Sequence, residues 1–238
     1  MPKKLPTRKI EKDWDDPGEF GPWIATLDQQ SLDEQLWMQA SCGDVAKAIM
    51  CIDAGANLRT KTGDSGTTPL MKACSEHQVG MVKLLIPMSN LIDLNDVDDD
   101  GDTAAHRCAY SNSADCLLEL VNAKVDLNKK NNRGDAAIFV ALNRSASDWE
   151  SLQTSKKTSE ERHTSVNCLD ILMQRSDLST TNDLGLTPSQ LTREKYPKLS
   201  NEMDAILAGR ERDDIDESIM VADATPSSAE TVGKAGRL

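Results

Sequence analysis

One short turn-and-helix motif occurs four times in this chain of 238 residues, and that recurrence constrains the fold more than any other feature. Gly66-Thr67-Thr68-Pro69-Leu70 comes back as Gly101-Asp102-Thr103-Ala104-Ala105-His106, then as Gly134-Asp135-Ala136-Ala137-Ile138, then as Gly185-Leu186-Thr187-Pro188. The spacings are 35, 33 and 51 residues, the last an ordinary period enlarged by 18. A unit this short cannot bury an apolar face by itself, so successive units must stack.

Each unit can be read physically. Asp64-Ser65-Gly66 is turn chemistry, with Gly66 free to take positive φ. Thr68 suits a helix N-cap, and Pro69 the first helical position, where its missing N–H costs nothing. A first helix over about 68–75 is expected, then a tight reversal. A second helix follows whose apolar stripe is Met81, Leu84, Leu85 and Met88. The same spacing gives Val45, Ala48, Ile49 and Ile52 earlier in the chain. Shorter stripes follow at Leu117, Leu120 and Val121, at Leu169, Leu172 and Met173, and at Met203, Ile206 and Leu207. Gly55 is placed to stop the helix that ends near Ala54.

These units resemble the ankyrin repeat, whose signature contains T-P-L-H-x-A at a period of about 33 residues. Thr68-Pro69-Leu70-Met71-Lys72-Ala73 departs from it only by Met in place of His, whereas Thr103-Ala104-Ala105-His106-Arg107-Cys108 keeps the Thr and the His. The resemblance implies an all-α solenoid of stacked helix-turn-helix units with β-turn fingers. It divides the chain into an N-terminal basic and aromatic extension (1–31), five units and an acidic tail (209–238) expected to be disordered. The units are 32–62, 63–97, 98–130, 131–181 with an insertion at 145–162, and 182–208. The fourth has Ala136-Ala137 where Thr-Pro is expected, so a poorly capped, locally soft unit is anticipated. Ankyrin proteins usually bind another protein on the side lined by fingers and first helices. Carried over by register, the partner-binding candidates are Lys61, Asp64, Ser65, Met71 and Lys72, then Asp98, Asp99, Asp100 and Arg107, then Asn131, Asn132 and Arg133.

Composition narrows the function. The net charge is −12, and five of the first twelve residues are basic, so the rest of the chain is more acidic still. A nucleic-acid partner needs a cationic surface, which argues against one here; a basic protein partner is the expectation. No apolar run nears the 18 or so residues of a membrane span, and the basic N-terminus has no hydrophobic segment after it. The six cysteines form no CxxC pair, and five sit in helical apolar patterns, so reduced thiols in the cytoplasm or nucleus are expected. With four Trp, two Tyr and two Phe, the core must be built mainly from small and aliphatic side chains.

Asp96-Val97-Asp98-Asp99-Asp100-Gly101 opens like a calcium-binding loop, but the twelfth position is Arg107 where a bidentate Glu is required, and the period puts the run at a finger. Its six Asp between Asp93 and Asp102 are either a surface for a basic partner or a solvated turn. His106 matches the framework His of the repeat, His77 falls at the interhelical turn and His163 in the insertion, so no nucleophile–base cluster forms and no enzyme is expected. No cofactor or metal is implied. Asn128 resembles sites at which ankyrin asparagines are hydroxylated, and equally fits a structural turn residue. Trp14 to Trp23 is either a cap on the first unit or a docking peptide, and the cost of exposed Trp favours the cap. The function expected is a non-enzymatic adaptor or inhibitor, monomeric on its own; the alternative is a structural subunit of a large assembly anchored by both tails.

Overall fold

A computed structural model describes residues 17–144 and 168–195 together with Asp204. The expectations for the insertion at 145–162, the stripe at Met203, Ile206 and Leu207, and the tail at 209–238 lie outside these residues, apart from Asp204.

Helices start where short polar side chains can satisfy their first N–H groups. Helix α1 is Pro17–Ile24. Asp28 accepts from Ser31 N to begin α2 (Gln29–Cys42), and Asp44 accepts from Lys47 N to begin α3 (Val45–Asp53). Thr68 caps α4 (Pro69–Ser75) by accepting from Met71 N at 3.3 Å, with Pro69 at the first position as expected. Helix α5 is Val79–Leu85. Thr103 and His106 form a reciprocal capping box on α6 (Ala104–Ser111), which is followed by α7 (Ala114–Asn122). Residues 137–144 are helical (α8). Helix α9 is Cys168–Arg175 and α10 is Pro188–Lys195, the latter capped reciprocally by Thr187 and Gln190.

Packing is between neighbours, as a one-dimensional stack requires. Helix α2 lies against α3 and α4, α4 against α5 and α6, and α6 against α7, while α7 meets α5 and α9; α1 covers α3. Small side chains let the helices approach closely: Ala40, Ala48, Ala73, Ala105, Ala109 and Ala136 are fully buried or nearly so, as are Cys51, Cys74, Cys108, Cys116 and Cys168. Phe139 is the largest of the fully buried side chains, and Ile24 and Trp23 of α1 join the same core.

Two stripes differ from expectation. Helix α5 stops at Leu85 and passes into a 3-10 turn at Ile86–Met88, because Pro87 has no N–H and its ring would clash with the carbonyl four residues back. Met81, Val82 and Leu85 carry the burial, with Leu84 and Met88 at the margin. In α3 the buried centre is Ala48 and Cys51, and Ile49 is 40% exposed. That position is the outer edge of the second helices, since its equivalents Lys83 and Leu118 are exposed too. Leu117 and Leu120 of α7 and Leu169, Leu172 and Met173 of α9 are buried as their spacing predicts.

Candidate functional site

The fingers between helix pairs are built from acidic and amide side chains turned back on their own backbone. Asp98 Oδ1 accepts from Asp100 N and Asp102 N at 3.0 and 2.9 Å. Asn131 Oδ1 does the same for Arg133 N and Asp135 N, and Asn182 Oδ1 for Leu184 N and Leu186 N. Backbone bonds close each such finger, from Asp98 N to Asp102 O, Asn131 N to Asp135 O and Asn182 N to Leu186 O, and back from Gly101, Gly134 and Gly185 N to Asp98, Asn131 and Asn182 O. Four finger glycines supply the left-handed residue, with φ of 60° at Gly66, 75° at Gly101, 71° at Gly134 and 73° at Gly185. Neighbouring fingers are tied edge to edge, Asp99 N donating to Ser65 O at 3.1 Å and Asn132 N to Asp100 O at 3.0 Å.

This construction removes three residues from the binding surface anticipated by register. Asp98 is buried because its other oxygen takes Arg107: Nε donates at 2.7 Å and the guanidinium amino group also bonds it. Asn131 is buried as the anchor of its finger and donates Nδ2 to Asp102 Oδ1 at 2.7 Å. Met71 lies in the helix interface, 1% exposed. Asp98, Asp100 and Asp102 do bring carboxylate oxygens within 4.8 Å of one another. Arg107, at the position where a calcium loop would need Glu, supplies the positive charge that this set calls for.

The remaining candidates stay at the surface. Lys61, Asp64, Asp99, Asp100, Asn132 and Arg133 are exposed, and Ser65, Lys72 and Arg107 partly so. Lys61 Nζ donates to Val97 O at 2.5 Å and lies 3.7 Å from Asp96. Trp37, Asp64, Lys72, Glu76, Arg107 and Tyr110 are among the residues that line a cavity of about 550 Å³ reaching from α2 to α8. Lys72 bonds Glu76 at 2.6 Å and sits 4.9 Å from the centre of the Trp37 ring.

Trp37 is a residue that the sequence reading missed. Its indole N–H donates to Thr67 Oγ1 at 3.0 Å. His106 acts on the equivalent residue of a later finger, its Nε2 lying 2.9 Å from Asp135 O. The signal was the position of Trp37, six residues before the corner at Gly43, as His106 stands before Asn112. His106 is framework, as expected: Nδ1 accepts from Thr103 N, which leaves Nε2 to carry the proton, and burial holds its pKa below the usual imidazole value. Burial likewise pushes the Cys51 and Cys116 thiols up to about 11 and the Cys168 thiol to about 12, so these sulfurs are packing groups. Asn128 Oδ1 accepts from Asp177 N at 2.9 Å, and Asn95 does the same for Asp126 N at 2.8 Å, an inter-unit brace repeated 33 residues apart.

A pair of helices and a hydrogen-bonded finger therefore recur through the stack. Residues 36–131 match the family model for ankyrin repeats, in three copies. That stretch carries ankyrin repeats. No curated protein matches it. Ankyrin repeats are a protein–protein interaction module, and in this one Asp64, Lys72, Arg107 and Tyr110 of the fingers and first helices line one cavity. No helix among the described residues is long and apolar enough to cross a membrane.

Proposed function

We propose that the chain is a non-enzymatic adaptor or inhibitor, monomeric on its own in the cytoplasm or nucleus, that holds one protein partner on its finger and first-helix face. The observation that supports this most is the division of labour in the fingers. Their backbone groups and anchoring residues are satisfied internally, while Asp64, Asp99, Asp100, Asn132 and Arg133 project from a ladder whose rungs are hydrogen-bonded to one another. Side chains held this way lose little freedom on binding. The exposed fingertips are mainly acidic, Asp64, Asp99, Asp100 and Asp183, which favours a basic partner and gives a salt-sensitive association rate.

We further propose that the repeats run past the matched stretch through α8 to α10, because Gly134 and Gly185 close fingers of the same geometry. The test is quantitative affinity capture from cell extract, comparing the full chain with a variant in which Asp64, Asp99 and Asp100 are each replaced by Lys. A partner retained by the natural chain and depleted at least fivefold by the variant supports the reading. A set of captured proteins unchanged by the substitutions, at both low and high salt, refutes it.

A further inference from the structure

The cavity that reaches from α2 to α8 contains a side chain that the stack does not need. Tyr110, one of two tyrosines in the chain, is 62% exposed on α6 and forms one wall. The interhelical corners at Gly43, His77 and Asn112 set the register, and by it the equivalent positions are Ser41 in α2 and Ser75 in α4. A small residue therefore satisfies the packing there, and the aromatic ring must be explained by what lies in front of it.

The charges around that ring are unequal in what they have left to offer. Lys72 is neutralised by Glu76, and Arg107 by the buried carboxylate of Asp98. Asp64, which also lines the cavity, is exposed, and the adjoining fingertip adds Asp99 and Asp100, the latter 3.9 Å from Arg107. The carboxylates that remain at the fingertips make the approach to the ring attractive to a cation. The π face of a tyrosine adds a short-range attraction for a guanidinium, and a planar guanidinium both stacks on a ring and bonds a carboxylate in two-point fashion.

We infer that this cavity is an arginine-recognition subsite, in which Tyr110 is the platform and Asp64 the counter-charge for one arginine of an extended basic segment of the partner. This rests on the reading that the finger face binds protein, and it names what that face selects.

The test uses the full chain and three fluorescent peptides, Arg-Ser-Gly-Arg-Ser-Gly-Arg, the same sequence with citrulline for arginine, and the same with glutamate. Fluorescence anisotropy at low salt gives the affinities, and backbone amide shifts locate the contact. The arginine peptide is expected to bind at least fivefold more tightly than the citrulline peptide, with shifts at Gly63, Asp64, Ser75 and Tyr110. Tyr110→Ala and Asp64→Asn should each weaken it about three- to fivefold, the scale of one exposed cation–aromatic or ion-pair contact. Tyr110→Phe and the outer-edge variant Leu118→Ala should not. Equal affinity for arginine and citrulline, or shifts on the fingers that Tyr110→Ala leaves intact, overturns the subsite while the protein-binding face stands. Tighter binding of the glutamate peptide reverses the partner's charge. Shifts confined to the second helices overturn both readings.

Discussion

Replacing Gly101 by Ala tests whether the fingers are coupled or merely adjacent. Its φ of 75° puts an alanine in the left-handed region, which costs an L-residue roughly 1–2 kcal/mol. The added Cβ would also lie 2.7 Å from the backbone N of Asn132, closer than real Cβ atoms come, and a backbone atom cannot swing aside. Asn132 N donates to Asp100 O, so relief of the clash must stretch that finger-to-finger bond, worth about 1 kcal/mol. Gly66 supplies the control: its φ is 60°, but the atoms its Cβ would meet are the carboxylate of exposed Asp99, which can rotate away. The expected losses are therefore roughly 2–3 kcal/mol for Gly101→Ala and roughly 1–2 kcal/mol for Gly66→Ala. Urea unfolding followed by circular dichroism reads the difference as a midpoint separation of about 0.5 M for a slope near 2 kcal/mol per molar. Equal midpoints would falsify the coupling of fingers through Asn132.

Four other outcomes follow from the same geometry. Asp98→Asn keeps the finger's acceptor but strips Arg107 of its counter-charge, so it should cost less than the roughly 3–5 kcal/mol of a fully buried pair, since Arg107 is partly exposed; Asp98→Ala, which also orphans two backbone N–H groups, should be clearly worse in the same urea assay. The lowered pKa of His106 means the fold holds its neutral form. Stability is then full above pH 6.5 and falls as the pH drops below that value, where the unfolded chain takes the proton first; His106→Gln should flatten the urea midpoint between pH 7 and 5.5, and an unchanged slope counts against the reading. A disulfide-exchange reagent should titrate one thiol, Cys42, in the native protein and six after denaturation, so rapid native reaction of two or more would contradict the buried, high-pKa packing role. Trp37→Phe removes the bond to Thr67 and should cost about 0.5–1.5 kcal/mol, with no loss indicating that the ring alone matters.

The parts of this molecule legible in its sequence are those decided within a few residues. Thr68 and Pro69 announce the start of α4, and Gly66 and Gly101 announce left-handed turns, because capping and φ are local matters. Periodicity marked α3, α5, α7 and α9 but located burial less well. Ile49 has the spacing of a core residue and lies at an outer edge, a fact fixed by which helices flank α3. The site was harder still. A run of aspartates reads as uniformly solvated, yet Asp98 is buried while Asp99 and Asp100 are exposed, since only the first accepts from the loop N–H groups and is hydrogen-bonded by Arg107 nine residues on. Trp37 lies where no Thr-Pro precedes it, and its partner is 30 residues away. Met71 occupies a signature position that faces the next helix. Contacts across the stack decide these cases, and a period in sequence does not say which partner arrives opposite.

The braces between neighbouring units also have a direction. Among the described residues, Asp99, Asp126, Asn132, Cys168 and Asp177 each give a backbone N–H to the preceding unit, at Ser65, Asn95, Asp100, Asn112 and Asn128. Among the described residues the exception is Thr62 N, which donates forward to Thr67 O where the first two units join. A chain made from its amino end therefore presents waiting oxygens to every segment that follows, and stacking can keep pace with synthesis. Truncation inherits the same asymmetry. Cutting from the carboxyl end uncovers oxygens and cutting from the amino end uncovers backbone N–H groups, so the two truncations differ in which groups water must newly serve.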